Sequence, residues 1–363
     1  MSRTTVILAL FVVLIGAIIG VSQFLTNQPP LELTVAVNPM VEDWLADAVQ
    51  DFNQSDTLVN GTTRVQVKLT TVADNAIWNN ESSWSTTTHP DVWIPADPAS
   101  INYLASNIPF EVVADSVATT PLVWGGFESR VMVLSPDGRL DWDVVASAMS
   151  TDDGNWSSLG GERSWGYLKL AYPRPTNDIA GLAVLYSGAG YFTDSTTLER
   201  QRLLQSDFND WMQTIVDAVP SFNTLGSDPA ATMASRGTSV AEVALLPEVI
   251  WLQNLDGLQG SDPIMLSYPS TGYNFTFPLA MWEDNDTSDT MKAAVEAFAD
   301  YVTGDAQAQA VAYGLRPVDG IGSDAGVLFG AGLDAGIMLD PPTNAVVTAP
   351  DKNTTETLLE RFG

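Results

Sequence analysis

No cysteine occurs in the 363 residues, and histidine occurs once, at His89. Disulfides, thiolate metal centres, cysteine nucleophiles and a lipid-modified N-terminal cysteine are therefore excluded. A multi-histidine metal site is impossible, and any catalytic pair built on imidazole must use His89. Positive charge is scarce too: 15 Lys and Arg stand against 44 Asp and Glu, a formal net charge of -29. Binding to nucleic acid or to an anionic lipid surface needs a basic face, which so few cations among so many anions do not make. Neither is expected as a partner. Charged residues amount to only 16% and hydrophobic ones to 45%, so the chain is no disordered polyelectrolyte and can bury a sizeable core.

What is present begins with VILALFVVLIGAIIGV, from Val6 to Val21, and no charge occurs between Arg3 and Glu32. About 20 such residues can cross a bilayer, and Arg3 favours a cytoplasmic N-terminus. The stretch Gly20-Val21-Ser22-Gln23-Phe24-Leu25 offers no A-x-A cleavage pattern. Residues 1–30 are accordingly read as an uncleaved membrane anchor with a tether, a cleaved signal peptide being the alternative. Either places the remainder on the extracytoplasmic side. Seven N-x-[ST] sequons, at Asn53, Asn60, Asn80, Asn155, Asn274, Asn285 and Asn353, agree with an acidic extracytoplasmic glycoprotein. A chain this rich in Asn, Ser and Thr also carries some by chance.

Beyond the tether, Leu31, Leu33, Val35 and Val37 alternate with polar or small residues as a strand, and Asn38-Pro39 ends it. Val41, Trp44, Leu45, Ala48, Val49 and Phe52 then form the apolar stripe of a helix. Asn60-Gly61 turns the chain into a strand carrying Val65, Val67 and Leu69. Strand, helix, strand implies a right-handed crossover. The same alternation continues. Strands are expected at Asp91–Ile94, Pro121–Trp124, Arg130–Leu134, Leu168–Ala171 and Val243–Leu246. Helices are expected from Ala180, over Leu198–Ala218 behind the capping box Thr196-Thr197-Leu198-Glu199, from Pro247-Glu248, and from Met291 to a stop at Gly304. The Gly- and Asp-rich stretch 319–336 reads as loop.

Five segments in order carry a resemblance: LTVAVNP (Leu33 to Pro39), DVWIPADPAS (Asp91 to Ser100), PLVWGGFESRVMV (Pro121 to Val133), WGYLKLAYPRPTNDIAGLAVL (Trp165 to Leu185) and AYGLRPV (Ala312 to Val318). Over residues 31 to 363 the chain resembles the extracellular solute-binding proteins of ABC transporters, of the type II periplasmic-binding class. The resemblance implies an α/β fold of two Rossmann-like lobes joined by crossing hinge strands, with a solute held between them and delivered to an ABC permease. The divisions expected are 1–30 anchor or signal, 31–122 with 270–363 as the first lobe, and 123–269 as the second. Two departures stand out. The family's lipid-anchoring cysteine is absent, and the second-lobe loop reads Thr176-Asn177-Asp178-Ile179 where a serine and glycine cluster is common.

Candidate ligand contacts follow from polar residues at strand ends and helix starts, where backbone N–H groups and a partial positive charge face a groove. They are Asn38; Asp97, Ala99 and Ser100; Thr176, Asn177 and Asp178, ahead of Gly181, which permits close approach of a backbone to bound material; Glu248; and Tyr273 beside Gly272. Each also has a structural explanation, as a helix cap or, for Tyr273, a core residue. His89 lacks any nucleophile signature, and Trp93, in a strand, reads as packing. No catalytic residue, cofactor or metal is expected. The expectation is a monomer that binds a small polar solute, attached to the membrane by its N-terminal helix. Alternatives are a sensor or adhesion-type interaction module with an occluded groove, and a hydrolase using pairs among Asp97, Asp178 and Glu248. Acidic groups at the groove favour a neutral polyol, an amine or a cation unless Arg130, Arg174 or Arg316 points inward.

Overall fold

The structure, a computed structural model, describes residues 29–78, 84–322, 325–342 and 345–363. The expected anchor at Val6–Val21 lies outside the described residues. Among the described residues no helix is long and apolar enough to cross a membrane.

Strand β1 (Leu31–Val37) lies parallel to β3 (Thr63–Thr71), from Leu31 opposite Val65 to Val37 opposite Thr71, and on its other side parallel to β4 (Val92–Ile94). Parallel neighbours need a crossover. Helix Glu42–Gln54 supplies the first, burying Trp44, Leu45, Ala48, Val49 and Phe52. Asn60 and Gly61 take left-handed φ of 52° and 71° in the turn between β2 (Leu58–Val59) and β3. The sheet is completed by antiparallel β12 (Leu279–Trp282) and β5 (Phe110–Ala114), giving the order β2-β3-β1-β4-β12-β5.

The second sheet has the order β11 (Asn274–Phe275), β6 (Thr120–Phe127), β8 (Val243–Pro247), β7 (Leu170–Ala171). Its longest strand, β6, pairs at its start with β11 and further on with both β8 and β9 (Ile264–Ser267). β7 runs parallel to β8. The wholly apolar VALLP of β8 is buried at every position, as suits a central strand covered on both faces.

Among the described residues three segments pass between the two sheets. The first runs from β5 into β6, and the second from β11 back to β12 through Phe277, a fully buried aromatic held at φ 43°. A bulky residue there is a genuine backbone outlier, anchored because Val117 N–H donates to its carbonyl at 2.9 Å. The third passes through Arg316, whose backbone exchanges hydrogen bonds with Thr119 at 2.8 and 3.0 Å.

Several expectations are corrected. Residues beyond Arg316 were expected in the first lobe; instead helix Gly326–Ala335 packs on helix Glu248–Leu258 and β9, and helix Lys352–Phe362 packs on helices of the second lobe. Phe329, Leu358 and Phe362 are buried in these positions, Phe362 edge-on to Phe208. The stretch expected as loop thus contains a helix despite its glycines. Arg130–Leu134, expected as a strand, belongs to helix Glu128–Leu134, because a short apolar run has no diagnostic period. Its start is held where Asp262 accepts from Ser129 N and Oγ at 2.8 and 2.6 Å. The long helix expected over 198–218 is two, Arg200–Leu203 and Ser206–Asp217, and Glu199 caps with its backbone and no side-chain bond.

Candidate functional site

Because β1, β3 and β4 run parallel, the loops that leave their C-terminal ends lie along one edge of the first sheet, where open α/β sheets place ligands. Asn38 follows β1, Asp74 and Asn75 follow β3, and Asp97 to Ser100 follow β4. In the second sheet, parallel β7 and β8 do the same with Thr176 to Asp178 and with Glu248.

The first edge is organised by a residue that the sequence reading passed over. Asp74 is fully buried. Its Oδ1 accepts from Asn38 Nδ2 at 2.7 Å, and its Oδ2 accepts from Ser100 Oγ at 2.6 Å and Ala96 N at 2.9 Å. Burial pushes its pKa up to about 6, against the lowering effect of those three donors. Asn38 also caps the short helical turn Pro39–Val41, accepting from Met40 N at 2.9 Å. Asn38 and Ser100 are thus brought together, with their polar side-chain atoms engaged inside the protein.

Asp97 caps helix Pro98–Asn102, accepting from Ala99 N at 2.7 Å, and its other oxygen accepts from Tyr273 Oη at 2.6 Å. Burial raises the pKa of both groups, that of Tyr273 well above the phenol range. Tyr273 is 2% exposed and packs on Tyr186 and Phe275. It is a core aromatic that fastens the second crossing segment to the first lobe.

On the facing edge, Asn75 Nδ2 donates to the backbone carbonyl of Thr176 at 2.7 Å, a direct bond between the loop after β3 of one sheet and the loop after β7 of the other. A carbonyl only accepts, so the amide orientation is set by chemistry, and Asn75 Oδ1 is left buried without a partner. Thr176 Oγ1 donates to the exposed Asn177 at 3.0 Å. Asp178 caps helix Ile179–Thr193 through Ala180 N at 2.8 Å, and burial pushes its carboxyl up to about 6. Gly181 corrects the sequence reading: the backbone closely approaching it is the chain's own Pro173, whose carbonyl oxygen lies 2.0 Å from where a Cβ would stand. Gly181→Ala is expected to displace the Pro173–Thr176 turn and to lower stability by about 2–3 kcal/mol, measured by urea unfolding followed by tryptophan fluorescence.

Glu248 stands apart from these clusters. It is fully buried, its carboxylate takes Arg316 Nε at 2.7 Å and Nη2 at 2.8 Å, and Tyr268 Oη donates to it as well. Burial raises its pKa, opposed chiefly by Arg316. Of the arginines considered for the groove, Arg316 is committed here and Arg130 to the buried Glu242 at 3.3 Å. Arg174, on the Thr176 turn, reaches Asn223 at 3.3 Å. His89 stacks on Trp282 at 3.7 Å. Trp93 packs with Trp84 and Phe110, edge-on or tilted, as its place in a strand suggested. Among the described residues no group of acidic and His side chains could hold a metal ion.

Between the lobes, inward of these loops, Tyr103, Tyr186 and Thr355 share hydrogen-bonded hydroxyls. Sequence reasoning missed all three. Asp74 and Asn75 offered a signal, since they repeat the pattern of a polar residue opening a helix just after a strand; the tyrosines and threonine offered none beyond helical spacing.

The comparisons with known proteins agree on the architecture. Iron-bound HitA from Pseudomonas aeruginosa superposes with a TM-score of 0.57 at 15% identity, covering 92% of this chain and 99% of that one. A periplasmic thiamin-binding protein gives 0.57 at 11% identity, with 92% and 95% covered. An ABC transporter structure from Clostridium perfringens gives 0.54 at 11% identity, with 90% and 96% covered. No curated protein matches. At these identities the likeness speaks for the two-lobed fold alone. A family model described as bacterial extracellular solute-binding protein matches residues 33–316, most of the chain, and the chain belongs to that family.

Proposed function

We propose that the chain captures a small polar solute between its lobes, without chemical change, and passes it as a monomer to an ABC permease. The observation that carries this reading is the bond from Asn75 to Thr176, which joins the segments leaving β3 and β7, strands of opposite sheets, where the lobes face each other. The family places the working part outside the cytoplasm. We propose further that Val6–Val21 holds it at the membrane; recovery of the full-length protein in the membrane fraction supports this, and release into the medium opposes it.

The solute class follows from what the groove leaves unsatisfied. Asn75 Oδ1 is a buried acceptor without a donor, and Asp178 spends one carboxylate oxygen on its helix cap. Acceptors at the groove favour a hydrogen-bond donor, a polyol or an amine, over an anion. Differential scanning fluorimetry across polyols, amines, amino acids and oxyanions tests it. A binder at about 100 times its Kd is expected to stabilise the fold by about 2.7 kcal/mol. Silence across the polyols and amines together with a shift for an oxyanion would refute the class.

A second reading is favoured by one observation. Tyr103, Tyr186, Tyr273 and Thr355 fill space between the lobes and are all nearly or wholly buried. A sensor or adhesion-type module with an occluded groove would show this packing and would answer no small molecule in the same screen.

A further inference from the structure

The residues from Ala345 to the end ride on the second lobe. β13 (Ala345–Val346) pairs in parallel with β10 (Thr271–Gly272), Thr348 N donates to Thr196 O at 2.9 Å, and Arg200 Nε donates to Thr357 Oγ1 at 2.8 Å. Near the chain end, Phe362 sets its ring edge-on to Phe208. From that base the segment reaches the first lobe at two points. The hydroxyl of Tyr103, which closes helix Pro98–Asn102, lies 2.5 Å from Pro350 O and 2.8 Å from Thr355 Oγ1. Lys352 Nζ donates to the backbone carbonyls of Tyr103 at 3.1 Å and Trp78 at 3.3 Å.

The hydroxyl chain has one consistent direction. Pro350 O can only accept, so Tyr103 gives it its single proton; Thr355 then donates to Tyr103, and Tyr186, 2.7 Å away, donates to Thr355. Tyr186 belongs to the second lobe, Tyr103 to the first, and Thr355 to the segment between them. All three are buried, Tyr103 being 3% exposed and the others 0%.

We propose that Ala345–Gly363 is an intramolecular latch, carried by the second lobe, that holds the first lobe closed through Tyr103 and Lys352 until solute entry displaces it. The proposal rests on the inter-lobe groove being the solute site. Opening about the crossing strands carries Trp78 and Tyr103 away from Pro350, Lys352 and Thr355, exchanging these hydrogen bonds for bonds to water at a small net cost each. The latch therefore sets how much of the empty protein is open, in the manner of a hinge biased by contacts made in one state only.

The test uses the full chain without solute. Tyr103→Phe deletes the end donor of the hydroxyl chain, and Lys352→Met keeps the aliphatic stem while removing the cationic donor. In the double variant, the radius of gyration from small-angle X-ray scattering is expected to rise. Amide hydrogen exchange over residues 352–362 is expected to quicken by about tenfold or more, with far-UV circular dichroism unchanged. Thr357→Ala, which cuts the tie to Arg200 and the bond from Thr357 Oγ1 to Asn353 O but neither contact with the first lobe, serves as the control: its radius of gyration stays at the wild-type value, and a rise equal to that of the double variant would overturn the proposal. Folded double variants with wild-type radius and exchange would overturn it as well. Should Tyr103→Phe fail to fold, Lys352→Met decides by exchange alone. No ligand enters these measurements, so the absence of any solute in a binding screen would count against the proposed function and not against the latch.

Discussion

Asp74→Ala is expected to lower the free energy of unfolding at pH 7 by about 4 kcal/mol, read from the urea midpoint of tryptophan fluorescence. The side chain is fully buried and satisfies three donors at once: Asn38 Nδ2, Ser100 Oγ and Ala96 N. Deleting it leaves those donors in a buried site, each costing about 1–3 kcal/mol when unsatisfied, while relief of a buried charge offsets part of the sum. Ser100→Ala removes one donor and leaves the carboxylate with two, so its expected cost is about 1 kcal/mol. A cost for Asp74→Ala no larger than that for Ser100→Ala would show that Asp74 is a bystander to the first-lobe edge. The same residue makes the effect depend on pH. Its folded-state pKa is about 6, above the ordinary 3.8, so the folded chain binds this proton more readily than the unfolded one. The resulting stabilisation is complete below about pH 4 and is lost as pH rises through 6. Wild type therefore gains more from acidification than the variant, which keeps Asp178 but lacks this carboxyl, and their difference is expected to widen by about 1 kcal/mol between pH 7 and pH 5.

How much of this could be read from residues alone depended on whether a segment's partners were local. The period-two pattern of Leu33, Val35 and Val37 and the stripe from Trp44 to Phe52 became β1 and its crossover helix, because burial on one side imposes a period that local sequence must carry. Asn38, Asp97 and Asp178 were recognisable as polar helix openers and are caps in the structure. Their further partners were not recognisable. Nothing in VADNAIW says that Asp74 gathers Asn38 and Ser100, since a carboxylate at a helix start is already explained by the cap and the dipole. Helix Lys352–Phe362 hid its role more completely: its inward face includes Thr354, Thr355 and Thr357, residues that count as polar until distant hydroxyls and an arginine meet them. Val131 to Leu134 failed for the opposite reason, an apolar run equally good for strand or helix.

Arg316→Met is expected to cost about 3–5 kcal/mol, and the same substitution made together with Glu248→Gln considerably less. Arg316 delivers Nε and Nη2 to the two oxygens of Glu248 at 2.7 and 2.8 Å, and Nη1 and Nη2 also donate to the carbonyls of Leu339 and Met338 at 2.7 and 2.6 Å. Four of the five N–H donors are thus engaged, two of them in the bidentate geometry in which a buried pair is strongest. Removing the cation alone strands a fully buried carboxylate whose pKa burial already raises, which is the costly way to break such a pair. Neutralising the carboxylate at the same time removes that penalty, so the double variant is expected to cost about 2 kcal/mol less than the sum of the two single variants. The consequence reaches the hinge. Arg316 pairs its backbone with Thr119 at the third passage between the sheets, and Thr120 Oγ1 accepts from Val249 N at 3.0 Å one residue beyond Glu248. The pair therefore pins the start of helix Glu248–Leu258 to two of the three crossing segments, and unpinning them is expected to raise hydrogen exchange at Thr119–Leu122 more than in the first sheet. Additive costs, with no excess exchange at those residues, would mean that the ion pair is not coupled to the hinge.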